Sequence, residues 1–303
     1  MSMIPVETAA ASRASSAPSD VAAVAAEMVA CGSLEMGADT AEDARRVAEL
    51  LPAGTPVYVN HLPRYPLGHT LKALIALREA NLEPVPHVAA RRVVSRVEAQ
   101  AFFAKAVRLA GVAKALLIGG DVLEPVGPYA EGAQLLREGF LADCGVKQVG
   151  LPGYPEGHPR IASAKVYASL EEKLVLARQH GLEPYIVTQF SFAPNRVVEY
   201  CADLGRRAPG VPVYVGLAGP TSPVALLKFA QRCGVSASLR ALQAEGMRAA
   251  KLFTRVDPSD QLMALAQHIR SGSASNVVGV HLYSFGGVAR TAAWMNERIT
   301  ARA

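Results

Sequence analysis

Short apolar runs alternate along this chain with longer stretches whose apolar residues recur at helical spacing. Val21–Ala30 reads as a helix. After it, Gly32-Ser-Leu-Glu-Met-Gly37 is short, partly apolar and bounded by glycine, as a strand is, and Thr40-Ala-Glu-Asp43 opens a helix to Leu51 in the manner of a capping box. The pair then repeats. Strands are predicted at Pro56–Leu62, Glu83–Ala89, Ala115–Ile118, Gln148–Leu151, Pro184–Phe190, Val211–Leu217 and Val277–Tyr283. Helices are predicted at Thr70–Ala80, from the Ser95-Arg-Val-Glu98 cap to Leu109, near Ala130–Phe140, from a Ser169-Leu-Glu-Glu172 cap onward, at Asn195–Arg206, from Ser222-Pro223, and at Val288–Ile299. Two further helical stretches, Ser236–Thr254 and Ser259–Arg270, precede the last strand.

Strand followed by helix, eight times over, is the alternation of an α/β (β/α)8 TIM barrel. A doubly wound open sheet has the same local signal, but no Gly-x-Gly-x-x-Gly follows the first strand, where such a fold places its phosphate turn. The expected organisation is a flexible Ala- and Ser-rich tail over residues 1–20 and a single barrel domain over 21–303. At 303 residues, half of them hydrophobic, the chain has enough apolar material for one large core. The formal charge of +5 is spread along the chain without a basic run or an aromatic–basic alternation, so nucleic acid is not an expected partner. The four cysteines make no Cys-x-x-Cys pair, which fits a reduced thiol set. No stretch reaches the roughly 20 apolar residues that cross a bilayer, and the first residues lack a secretory pattern, so a soluble cytoplasmic protein is expected.

Function in such a barrel collects at the carboxyl ends of the strands. The residues there are Glu35, Asn60 with His61, His87, Asp121, Tyr154 with Glu156 and His158, Gln189, Gly216 and Tyr283. The fifth strand opens into Pro152-Gly-Tyr-Pro-Glu-Gly-His-Pro159, where proline and glycine free polar side chains from the sheet. This set lacks the clustered carboxylates or histidines of a catalytic metal site and a nucleophile in a diagnostic turn. Proton transfer combined with an organic cofactor is the chemistry it suits.

In order along the chain, Ser33-Leu-Glu35, Pro86-His87, Gly120-Asp121 with Pro128-Tyr129-Ala130, Tyr154-Pro-Glu-x-His-Pro159, Thr188-Gln-Phe190 and His281-Leu-Tyr283 resemble the methylenetetrahydrofolate reductase family. The likeness is diffuse and runs from about Ser33 to Trp294. It implies interconversion of 5,10-methylenetetrahydrofolate and 5-methyltetrahydrofolate by hydride transfer through FAD, with NADH or NADPH as hydride donor. By that resemblance Glu35 is the general acid, a carboxyl of raised pKa that protonates N10 as the five-membered ring opens. Asp121 lies between flavin and pterin, Gln189 presents its amide to the pterin, and Tyr283 joins the substrate site. Asn60, His87, Gly120, Asp121, Tyr129, Tyr154, His158 and Lys173 hold the flavin and its phosphates. His281 reads, by its spacing, as buried strand material.

The chain departs from the family's pattern mainly on the flavin side. Gly119 stands where an arginine is common, Asn60 replaces a threonine, Tyr167 falls where an acidic residue is usual, and Ser284-Phe-Gly-Gly287 replaces an asparagine. Two alternatives follow: a flavin-free reductase in which the nicotinamide reduces the folate directly, and a non-catalytic barrel that binds folate or flavin. A lysine Schiff-base lyase is disfavoured because Lys114 precedes a strand and Lys251 lies in a helical stretch. Outer helix faces could pair in a homo-oligomer, and nothing in the sequence selects one.

Overall fold

The computed structural model describes residues 20–37, 41–62, 65–233, 235, 257–272, 276–285 and 287–300. The predicted tail up to residue 19 and the helical stretch Ser236–Thr254 therefore lie outside the described residues, apart from Asp20. Eight parallel strands close in sequence order, β1 against β8, as a (β/α)8 barrel. They are β1 Ser33–Met36, β2 Pro56–Asn60, β3 Glu83–Ala89, β4 Lys114–Ile118, β5 Gln148–Gly153, β6 Glu183–Thr188, β7 Val213–Ala218 and β8 Val277–Tyr283. The helices are α1 Val21–Ala30, α2 Ala41–Ala48, α3 Thr70–Glu79, α4 Arg96–Ala110, α5 Gly132–Arg137, α6 Phe140–Asp143, α7 Ser163–Gln179, α8 Pro194–Arg207, α9 Pro223–Cys233, α10 Ser259–Arg270 and α11 Val288–Thr300.

Alternation along each strand sorts its side chains. Leu34, Val57, Val59, Leu117, Val149, Ile186, Val215 and Leu282 face outward and join the main core beneath the helices. Tyr58, Val85, Leu116, Tyr185 and Val187 face inward and fill the barrel. Fully buried rings such as Phe103 on α4 and Phe140 on α6 contribute about 1.5–3 kcal/mol each. Gly150 leaves room for the Tyr185 ring, whose carbons would stand 2.8 Å from an added Cβ.

Three elements differ from the pattern's expectation. The segment near Ala130–Phe140 is two short helices, because Gly139 adopts φ +74° between them. α7 starts at Ser163, so Ser169 is a helix-interior residue and no cap. β5 continues through Pro152 and Gly153. Beyond Gly150 it pairs only with β6, so the missing amide hydrogen of Pro152 costs no ladder bond on the β4 side.

The caps predicted at Ser95 and Ser222 form, and the one predicted at Thr40 lies outside the described residues. Ser95 Oγ accepts from Glu98 N at 3.1 Å, Glu98 Oε2 accepts from Val94 N at 3.0 Å, and Ser222 Oγ accepts from Ala225 N at 3.2 Å. Ser95→Ala is therefore expected to cost about 1 kcal/mol. Ser169→Ala should be neutral or slightly stabilising, since alanine is the better helix former. Urea unfolding of the two variants checks both.

Candidate active site

Glu35 leaves β1 toward the barrel axis near the carboxyl-terminal mouth, with its side chain 12% exposed. Its Oε2 stands 3.7 Å from His87 Nδ1 on β3 and 3.8 Å from His281 Nε2 on β8. These separations exceed hydrogen-bond reach, and the contacts become ion pairs only when the rings are protonated. Each imidazole is fixed from its other side or by a shared nitrogen. Ser33 Oγ lies 2.8 Å from His281 Nδ1, and Asn60 Oδ1 lies 2.7 Å from His87 Nδ1. Because Asn60 Oδ1 and the Glu35 carboxylate are both acceptors, His87 carries its proton on Nδ1. If the serine hydroxyl donates to His281 Nδ1, that ring carries its proton on Nε2, toward Glu35.

Burial raises the Glu35 pKa, but the two imidazoles, His281 first and then His87, outweigh it and hold the carboxyl at about 2. The expectation of a raised pKa is thus corrected: Glu35 rests as a carboxylate. Burial moves His281 the other way, below its ordinary value. The ring predicted as plain strand material faces inward, toward the Glu35 carboxylate. Sequence spacing located His281 on the strand but carried no information about which residue it would oppose.

The remaining mouth residues come from neighbouring strands. Tyr283, two residues beyond His281, sets its ring edge-on to that imidazole at 4.9 Å and donates its hydroxyl to Thr188 O at 2.9 Å. Gln189 donates its backbone N–H to Gly153 O at 2.8 Å, while its Oε1 accepts from Phe190 N at 3.1 Å. The amide nitrogen is the end left to meet a ligand. Gly216 permits this crossing, since an added Cβ would stand 2.1 Å from Thr188 O. Phe190, Phe192, Leu226, Ala230 and Val235 form a second apolar cluster, with Tyr283 and Phe285 against it.

Asp121 lies at the rim, its side chain about half exposed, and pairs with Arg92 from the turn after β3. Arg92 Nη1 also donates to His61 O at 2.8 Å. Arg91 ties the same rim together through Ala130 O at 2.7 Å and Val122 O at 3.0 Å. The turn after β3 thus places a cation at Asp121, a pairing that a strand-by-strand reading of the sequence did not find. Gly120, at φ +98°, makes the turn that displays Asp121.

The eight residues assigned to a flavin do not form one surface. Asn60, His87, Gly120 and Asp121 belong to adjoining strand ends. Tyr154 and His158 share the loop after β5, ring edge to ring face at 5.1 Å, and Arg160 N donates to His158 Nδ1 at 3.2 Å. Burial pushes the Tyr154 phenol up to about 12. Tyr129 is corrected to a packing residue: it is 2% exposed in the main core, and its hydroxyl donates to Glu138 Oε1 at 3.3 Å. Lys173 lies along α7 near Glu131 and Glu172, with its pKa lowered by burial. Four buried nitrogens at the mouth, His61 Nδ1, His87 Nε2, Arg92 Nε and His281 Nε2, have no hydrogen-bond partner among the described residues. Such atoms suit a polar ligand.

No family model matches the chain. Among solved structures, a provisionally assigned phosphonomutase from Burkholderia cenocepacia J2315 aligns with a TM-score of 0.51 at 11% identity, over 88% of this chain and 93% of that one. At this identity the likeness supports the barrel alone. Among the described residues no group of three or more His, Cys, Asp and Glu is placed to hold a metal ion, and no helix is long and apolar enough to cross a membrane.

The depressed Glu35 pKa fixes the sign of its contribution to stability. That contribution is complete above the ordinary carboxyl value of 4.5 and is lost as pH falls toward about 2. In His281→Phe the burial remains and one compensating ring is gone, so the Glu35 pKa rises. The variant should lose about 1–3 kcal/mol at pH 7 and recover part of it near pH 4. Urea unfolding at the two pH values, with carboxyl NMR titration, tests this.

Proposed function

We propose that this barrel is an oxidoreductase of the methylenetetrahydrofolate reductase type, with Glu35 as its acid–base group. The observation that carries the reading is a buried carboxylate held between His87 and His281 at the carboxyl end of the strands. An ionised side chain is costly to bury, and one kept in a barrel mouth with aimed imidazoles suits a reaction that passes through a cation. Interconversion of the methylene and methyl folates does so, through an iminium at N5.

As a carboxylate, Glu35 is poised to stabilise that iminium and to take the N10 proton when the five-membered ring closes. In the opposite sense it must first gain a proton, and a ligand that covers the mouth favours this by removing water from the carboxylate. Gln189 offers amide donors to a pteridine edge, and Tyr283 offers a ring face beside His281. Hydride is supplied by FAD or directly by NADH or NADPH when bound. His87, Asn60, Asp121 with Arg92, and the Tyr154–His158 loop are the groups that would hold such a cofactor. The position of Tyr129 in the outer core removes one flavin contact and gives the flavin-free version its support. The mutase likeness is not adopted, because it rests on the barrel alone.

The purified protein should reduce 5,10-methylenetetrahydrofolate with NADH or NADPH, or oxidise 5-methyltetrahydrofolate with an artificial acceptor. Glu35→Gln should lower turnover about 10²–10⁴-fold. A yellow, active protein supports FAD and a colourless, active one supports direct transfer. Folate binding without turnover in either direction would replace the enzyme with a carrier, and unchanged turnover in Glu35→Gln would remove the acid–base assignment.

A further inference from the structure

A cavity of 440 Å³ opens at the amino-terminal ends of the strands, opposite the Glu35 mouth. Its lining includes Lys114, Gln148, Glu183 and Tyr214, with Ser33, Tyr58 and Tyr185 as its inner wall. Lys114 is paired with Glu83 at 3.1 Å, Glu183 accepts from Gln148 at 2.8 Å, and Arg178 also lines the cavity, so the wall is polar. From this wall a line of proton-bearing groups runs up the barrel axis. Tyr58 and Tyr185, on opposite sides of the barrel, touch hydroxyl to hydroxyl at 3.0 Å, and Ser33 lines the same cavity wall as the two phenols. Ser33 Oγ reaches His281 Nδ1 at 2.8 Å, and His281 Nε2 faces Glu35 at 3.8 Å.

We propose that the lower cavity is a proton port, and that Tyr185, Tyr58, Ser33 and His281 relay protons between water at the amino-terminal face and Glu35. The path stands on this geometry, whereas its use in turnover rests on the acid–base reading of Glu35. A second route has a physical purpose. A ligand seated in the mouth covers the carboxylate and shuts out water there, while the lower face remains wet.

In the charging direction a cavity water gives a proton to a tyrosine hydroxyl, which passes its own to Ser33 Oγ. Ser33 passes its proton to His281 Nδ1, and His281 gives its Nε2 proton to Glu35 Oε2 as the ring closes the remaining gap. Each O–H or N–H bond broken is replaced by one formed on the same group, so one proton moves and no electrons do. The hydroxide left in the cavity is neutralised by bulk buffer, and loss of the Nδ1 proton with gain of one on Nε2 between turnovers restores the starting tautomer of His281. Burial raises both phenol pKa values, which keeps them neutral carriers. The titratable groups facing the line are Glu83 and Tyr214 near the phenols and His87 and Tyr283 near the carboxylate.

The test uses full-length protein with ¹⁵N-labelled histidine. Solvent exchange of the His281 ring proton, read by NMR, should slow at least about tenfold in Tyr58→Phe and in Ser33→Ala, and Ser33→Thr should restore it. With 5-methyltetrahydrofolate and an artificial acceptor, the first two variants should lose kcat about tenfold, keep KM, and show a larger solvent isotope effect. Exchange, kcat and isotope effect all equal to wild type would overturn the relay, while an inactive Glu35→Gln in the same assay would leave the acid–base reading standing. Slowed exchange in a protein that turns over no folate would retain the port and defeat the folate reading instead.

Discussion

A carboxylate removed from water must be matched by charge or donors placed within a few ångströms, or it will take up a proton or unfold its surroundings. At Glu35 that requirement is met by three strands at once. β1 supplies the carboxylate, β3 supplies His87 and β8 supplies His281. Glu35 and His281 lie far apart in the chain and meet only because the barrel closes β8 onto β1, with Ser33 opposite His281. Asn60 and Ser33 then set the orientation of the imidazoles. The mouth is thus a consequence of closure and register, and a sheet left open between β1 and β8 would strand the charge.

The same economy shapes the rim. A glycine at position 119 gives the backbone freedom but no charge, and Arg92 reaches across from the turn after β3 to meet Asp121. The guanidinium also clasps the His61 carbonyl, so one side chain joins the ends of β2, β3 and β4. On the other side of the mouth, Phe190, Phe192, Tyr283 and Phe285 form aromatic contacts that leave an apolar flank beside the polar Glu35 centre. One flank of the mouth is thus apolar and the other carries the Arg92–Asp121 ion pair.

The repeating strand–helix pattern made the barrel legible, since hydrophobic alternation and helical spacing are local properties that survive translation into three dimensions. Ser95 and Ser222 were readable as caps because a cap involves residues a few positions apart. Ser169 failed the same test because an earlier helix start made its local signal irrelevant. Likewise Pro152 and Gly153 carry the residue types of a break, and only the absence of a β4 partner beyond Gly150 allows the strand to run on.

What the sequence by itself determined is therefore the order of elements and the positions of Glu35, Asn60, His87, Asp121, Gln189 and Tyr283 at or just beyond strand ends. Tertiary structure decided which of these meet: that Glu35 is ionised, that His281 stands beside it, that Arg92 pairs with Asp121 at the rim, and that Tyr129 packs in the outer core. The division has one physical cause. Secondary structure depends on neighbours along the chain, whereas a pKa depends on the distance and burial of charges brought together by closure of the barrel.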